Sequence, residues 1–136
     1  MNKISEHISY EEATISPTAL RLGIKNEPNE AEYTAMVMVA EYCFEPLRKW
    51  YGKPIKINSF FRCKALNDAV GSKDTSWHRK GSAIDMTAGS KEENEKLFNY
   101  IKDNLEFTEL INEYNFSWVH VAYVPDNLKK QVKKIG

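Results

Sequence analysis

Two short stretches of this chain place metal-binding residue types where a fold could bring them together. The first is Ser76-Trp77-His78-Arg79-Lys80-Gly81-Ser82-Ala83-Ile84-Asp85. His78 falls at the end of a polar loop and Asp85 inside the strand that follows. Gly81 between them permits a turn or a close backbone approach. Side chains alternate along a strand, so Gly81, Ala83 and Asp85 share one face, and the small residues leave room beside the carboxylate. An aspartate set among Ala83, Ile84 and Met86 is costly to bury unless it gains a partner, and a cation would be one.

The second stretch is Phe116-Ser117-Trp118-Val119-His120-Val121-Ala122-Tyr123. It alternates as a strand, with His120 on the face of Trp118 and Ala122. Two histidines and an aspartate make a set of three zinc donors, which leaves a fourth position for water. Spacing alone is not specific, because a histidine in a strand is more often a hydrogen-bonded core residue. The third histidine, His7, has no partner pattern and reads as a surface residue.

The elements that must position these residues follow from periodicity and punctuation. Ser9 to Glu12 has capping-box spacing, and Ser16-Pro17 resembles a second helix start. A long helix is expected from near Asn29 to Tyr51. Met36, Val39, Ala40, Cys43, Leu47 and Trp50 form its apolar stripe, which places Trp50 in the core. Gly52 and Pro54 stop it. Ile55 to Asn58 alternates as a short strand. Lys64 to Val70 reads as a short helix closed by Gly71, Ser72 to Arg79 as a loop, and Ser82 to Thr87 as a strand. Ser90 caps a helix running to Leu105. Phe107 to Glu113 and Ser117 to Val124 read as a hairpin turning at Asn115. The residues from Pro125 onward fray or cover an edge. This order points to one α+β domain with an antiparallel sheet and a long N-terminal helix packed on it.

Composition narrows the function classes. The chain has 136 residues, 42% hydrophobic and 28% charged, with 19 basic and 19 acidic side chains. One domain of ordinary size fits that length. The charge balance gives no reason to expect a nucleic-acid or anionic-membrane partner. No run approaches the ~20 apolar residues of a membrane span. No apolar leader follows Met1, so synthesis in the cytoplasm without a signal peptide is expected. Cys43 and Cys63 are too few for a disulfide framework, and Cys43 reads as a buried thiol.

The string Ser76-x-His78-x-x-Gly81-x-Ala83-x-Asp85, with Trp118-Val119-His120-Val121 downstream, resembles the M15 family of zinc D-alanyl-D-alanine peptidases, and its small bacterial and phage domains most of all. Asn58-Ser59-Phe60-Phe61-Arg62, Ala65-Leu66-Asn67 and Glu45-Pro46-Leu47-Arg48 also fit that pattern. The likeness runs from about Ile4 to about Val124. It implies a fold like that of hedgehog and DD-peptidase domains, with zinc held by His78, Asp85 and His120. It implies that Arg62 reaches the substrate or the developing oxyanion, and that Ser76 hydrogen-bonds the substrate. Trp77 is the best candidate to line a groove.

Many members of the family carry a glutamate three residues before the last histidine. Ser117 stands there in this chain and cannot act as a base. Glu113, on the preceding strand, is the expected general base, with Glu109 second on the same face. The resemblance implies hydrolysis of peptide bonds in the peptidoglycan stem peptide, as a carboxypeptidase or endopeptidase, and a monomer is expected. A phage lysin or virion-associated enzyme suits a protein that acts on the cell wall without a leader. The competing readings are a non-catalytic wall-binding or structural module, which Ser117 favours, and a metal-free domain.

Overall fold

The computed structural model describes residues 3–136. The chain begins with a two-stranded hairpin, β1 (Lys3–Ser5) and β2 (Ile8–Ser9), and two short helices, α1 (Tyr10–Thr14) and α2 (Pro17–Leu22). Ser9 caps α1 in a full capping box with Glu12, and Ser16 caps α2 ahead of Pro17. The hairpin itself has only five residues in strands, too few for a periodic signal.

The expected single helix from Asn29 to Tyr51 is corrected. The helical run comes in three pieces: α3 (Glu30–Val39), a π-helical turn (Ala40–Phe44) and α4 (Glu45–Tyr51). Pro46 explains the break, because it has no N–H to donate and its ring crowds the preceding turn. The helix widens there, and the Glu45 N–H bonds the Ala40 carbonyl five residues back. The longest α-helix lies mid-chain: α6 (Lys91–Asn104), capped by Ser90. Trp50 is a second correction. It lies at the outer margin of the stripe, 47% exposed, stacked on Tyr100 at 4.3 Å.

Five strands form the main sheet in the order β3-β4-β6-β5-β7: β3 (Lys56–Ser59), β4 (Ala83–Thr87), β5 (Glu109–Glu113), β6 (Trp118–Ala122) and β7 (Gln131–Ile135). The first four pair antiparallel. β7 pairs parallel with β5, so the sheet is not wholly antiparallel and the tail is an ordered edge strand. A helix α5 (Lys64–Ala69) and a 3-10 turn (Trp77–Lys80) link β3 to β4.

Strand parity separates core from pocket. Ile84 and Met86 of β4, Leu110 of β5, and Val119 and Val121 of β6 are buried with Met36, Val39, Cys43, Phe44 and Leu47 of the helical run and with Leu97 and Ile101 of α6. The alternate residues, Asp85, Glu109, Glu113 and His120, belong to the opposite face. The β5–β6 hairpin turns through Tyr114, Asn115 and Phe116, all at positive φ. Non-glycine residues pay about 1–2 kcal/mol each for that conformation. Side chains hold the turn: Asn112 accepts the Phe116 N–H at 2.6 Å, Ser117 Oγ donates to the Tyr114 carbonyl, and the buried Asn94 donates to the Phe116 carbonyl. Among the described residues no helix is long and apolar enough to cross a membrane.

Candidate active site

The antiparallel register of β4 and β6 sets Asp85 directly opposite His120. The register of β5 and β6 sets Ile111 opposite His120 and Glu113 opposite Trp118. His78 arrives from the 3-10 turn, whose first residue follows the capping Ser76 and whose end is Gly81. Gly81 has φ +80, and a Cβ there would lie 2.6 Å from the Glu32 carbonyl oxygen on α3. The close approach expected at this glycine is thus against α3, and it seats the turn that carries His78.

All three donors are buried: His78 is 3% exposed, Asp85 8% and His120 7%. His78 Nδ1 lies 2.8 Å from the Phe60 carbonyl, which can only accept, so Nδ1 carries the proton. His78 Nε2 then presents a lone pair. It is 3.1 Å from Asp85 Oδ1, yet among the described residues it has no hydrogen-bond partner. His120 Nδ1 lies 2.8 Å from the same oxygen, and His120 Nε2 lies 3.0 Å from Glu109 Oε1. Glu109 accepts the Nε2 N–H, and Nδ1 faces Asp85, donating to it when the ring is protonated.

Two imidazole nitrogens, His78 Nε2 and His120 Nδ1, therefore converge on one carboxylate oxygen in a buried space. The His78 lone pair against that carboxylate is repulsive unless something positive stands between them. Burial disfavours the imidazolium of His120, but Asp85 and Glu109 outweigh it and raise its pKa to about 9. Burial likewise opposes the charge on Asp85, and the two histidines outweigh it, holding the carboxyl well below the usual range. A proton on His120 relieves one contact and leaves His78 Nε2 orphaned. A divalent cation relieves both. One donor atom from each of the three residues lies within 4.8 Å of the others, so this set fits a metal ion.

The donors lie at the floor of a cavity of about 420 Å³, lined also by Arg62, Ser76, Trp77, Glu109 and Glu113. Every site residue expected from the sequence is therefore in one place. Arg62 Nη2 lies 4.0 Å from Asp85 Oδ2, and its Nε donates to Ser59 Oγ at 3.3 Å. Ser76 caps the 3-10 turn by accepting the His78 N–H, and it borders the cavity as well.

The two candidate carboxylates separate cleanly. Glu109 is occupied by His120 and by Lys133, whose Nζ lies 2.9 Å from its Oε2. The hydrogen bond from His120 is the largest cause lowering its pKa to about 2. Glu113 accepts one bond, from Trp118 Nε1 at 2.7 Å. Burial first, and then the charge of Asp85, raise its pKa above the usual carboxylate value. A partly buried carboxyl with a raised pKa is the stronger base of the two.

Sequence reading missed part of this site. Lys73 and Thr75 rim the cavity, and Ile111 and Ile135 wall it. Lys73 sits in a loop with no motif of its own. Its carbonyl is held by the buried Asn67 at 2.9 Å. His7 is a surface residue, as its sequence context suggests. It also has a partner that no local pattern announces, Glu45, with Nδ1 2.6 Å from Oε1. That pair ties the first hairpin to the start of α4 and takes no part in the cavity.

A buried His-Asp-His donor set, open to a cavity beside an arginine and a glutamate, has the layout of a single-ion hydrolytic centre. The chain belongs to a peptidase family: the family model described as Peptidase M15 matches residues 6–122, which include all three donors. No curated protein matches the chain.

Proposed function

We propose that this protein is a zinc peptidase that hydrolyses peptide bonds of bacterial peptidoglycan. His78, Asp85 and His120 hold the metal, Glu113 is the general base, and Arg62 steadies the oxyanion. The observation that carries this reading is the convergence of two imidazole nitrogens on Asp85 Oδ1, with His78 Nε2 left unpartnered among the described residues. That convergence lies within a chain of the M15 family.

A zinc ion held by His78, Asp85 and His120 would supply Lewis acidity and lower the pKa of a water towards ~7. Glu113 accepts the proton of the attacking water and returns it to the leaving amine. Trp118 keeps the Glu113 carboxylate aimed into the cavity. Arg62 donates to the carbonyl oxygen as it gains charge. Ser76 offers a hydroxyl and Trp77 an aromatic face along the cavity wall. Arg62 and Lys73 give a cationic lining suited to the carboxylates of stem peptides.

Ser117 favours a non-catalytic module, because it replaces the glutamate found there in many relatives. Its hydroxyl is used to close the hairpin turn. Glu113 answers the objection by supplying a carboxylate to the same cavity from β5. A gel containing purified cell wall separates the two readings. Clearing by the zinc-loaded protein, lost with a chelator, supports catalysis. Retention on the wall material without clearing supports the module.

A further inference from the structure

β7 lies beyond the family match, which ends at residue 122, and yet its Lys133 reaches Glu109, the neighbour of His120. Its parallel pairing puts Lys133 opposite Ile111, on the cavity face of β5. From there Lys133 Nζ meets Glu109 Oε2 at 2.9 Å, while Glu109 Oε1 meets His120 Nε2 at 3.0 Å. The two oxygens of one carboxylate are thus divided between the tail strand and the imidazole.

We infer that Glu109, held by Lys133, is the positioning residue that fixes the His120 ring and keeps its Nδ1 free to bind metal. The inference rests on the proposed metal centre. An imidazole can bind a cation through either nitrogen, and the partner of the other nitrogen selects which. Glu109 accepts a hydrogen bond from the Nε2 N–H of His120, as the Phe60 carbonyl accepts one from the Nδ1 N–H of His78. The backbone carbonyl is fixed by the fold. The carboxylate is on a flexible side chain and needs its own support. Lys133 gives that support by occupying the second oxygen. Burial of the Glu109 side chain, 13% exposed, makes the contact stronger than an open surface pair. The tail strand thereby becomes part of the site.

The test is zinc affinity by competition with a chromophoric chelator, together with nitrogen NMR shifts of the imidazoles in labelled protein. Glu109→Ala is expected to weaken zinc binding about ten- to a hundredfold. Glu109→Gln, which keeps an acceptor oxygen, loses less, and Lys133→Met loses less than Glu109→Ala. In the wild type the His120 Nδ1 signal shifts on zinc addition and Nε2 keeps its proton. A purely structural Glu109 would lower the melting temperature of the chelator-treated protein while leaving zinc affinity at the wild-type value. That result overturns the inference and leaves the metal centre standing. A wild type that binds no zinc overturns both. Circular dichroism of each variant identifies any that fail to fold, and Lys133→Met, altered at an exposed edge, then carries the test.

Discussion

Asp85 Oδ1 lies 2.8 Å from His120 Nδ1 and 3.1 Å from His78 Nε2, so one carboxylate oxygen serves two imidazoles. The strand register alone brings Asp85 and His120 together, since they are direct partners across β4 and β6. His78 is brought in from outside the sheet. The site therefore depends on two independent pieces of structure, the pairing of β4 with β6 and the seating of the 3-10 turn.

Zinc should stabilise the folded chain through this oxygen. A ligand that binds only the folded state at a hundred times its Kd adds about 2.7 kcal/mol. Wild-type protein should melt several degrees higher in zinc than in chelator. Asp85→Asn should show no such rise, because an amide is a poor replacement for the shared carboxylate. An equal rise in both proteins, read by calorimetry, would remove Asp85 from the metal set.

In chelator, stability should fall with rising pH. The folded pKa of His120 is raised from 6.5 to about 9, chiefly by Asp85 and Glu109 working against burial. A raised pKa adds stability that is complete below the unfolded value and is lost as pH climbs through the folded one. Denaturant midpoints should therefore drop between about pH 6.5 and 9, and His120→Gln should flatten that slope. A wild-type midpoint that climbs across this window would contradict the assignment.

Gly81→Ala tests the seating of His78. The position has φ +80, and the added Cβ would meet the Glu32 carbonyl at 2.6 Å. Backbone strain of this kind costs about 1–3 kcal/mol. The variant should lose that much stability in urea and should also bind zinc more weakly. Loss of stability with wild-type zinc affinity would mean that the turn and His78 move independently.

The two thiols should behave differently. Cys43 is fully buried and burial pushes its thiol up to about 12, whereas Cys63 is half-buried. A thiol reagent near pH 8 should modify Cys63 in the native protein and reach Cys43 only in denaturant. Rapid reaction of both in the native state would show that the helical run opens easily.

The site was legible because its residues carry local signals. Alternation puts Asp85 and His120 on the cavity face of their strands, while Gly81, read as leaving room beside the carboxylate, instead packs against Glu32 on α3. The caps at Ser9, Ser16 and Ser90 are likewise local, and each forms as expected. What escaped depends on distant partners. Pro46 was read as part of a motif, and its effect on the helix shows only when the Glu45 N–H is traced to Ala40. Trp50 has the right helical phase for the core, but Tyr100 on α6 leaves its outer side open. β7 is rich in lysine, with Gln131, Lys133 and Lys134, and no pattern within it announces pairing with β5. His7 gained Glu45 through a contact 38 residues away in the chain.

The most direct test of the account is mass analysis of fragments released from purified peptidoglycan by the zinc-loaded protein. Fragments bearing new peptide termini, absent with chelator and reduced about a hundredfold or more for Glu113→Gln with its zinc retained, are the predicted result. Undegraded stem peptides, or cleavage at the wild-type rate by Glu113→Gln, would contradict it.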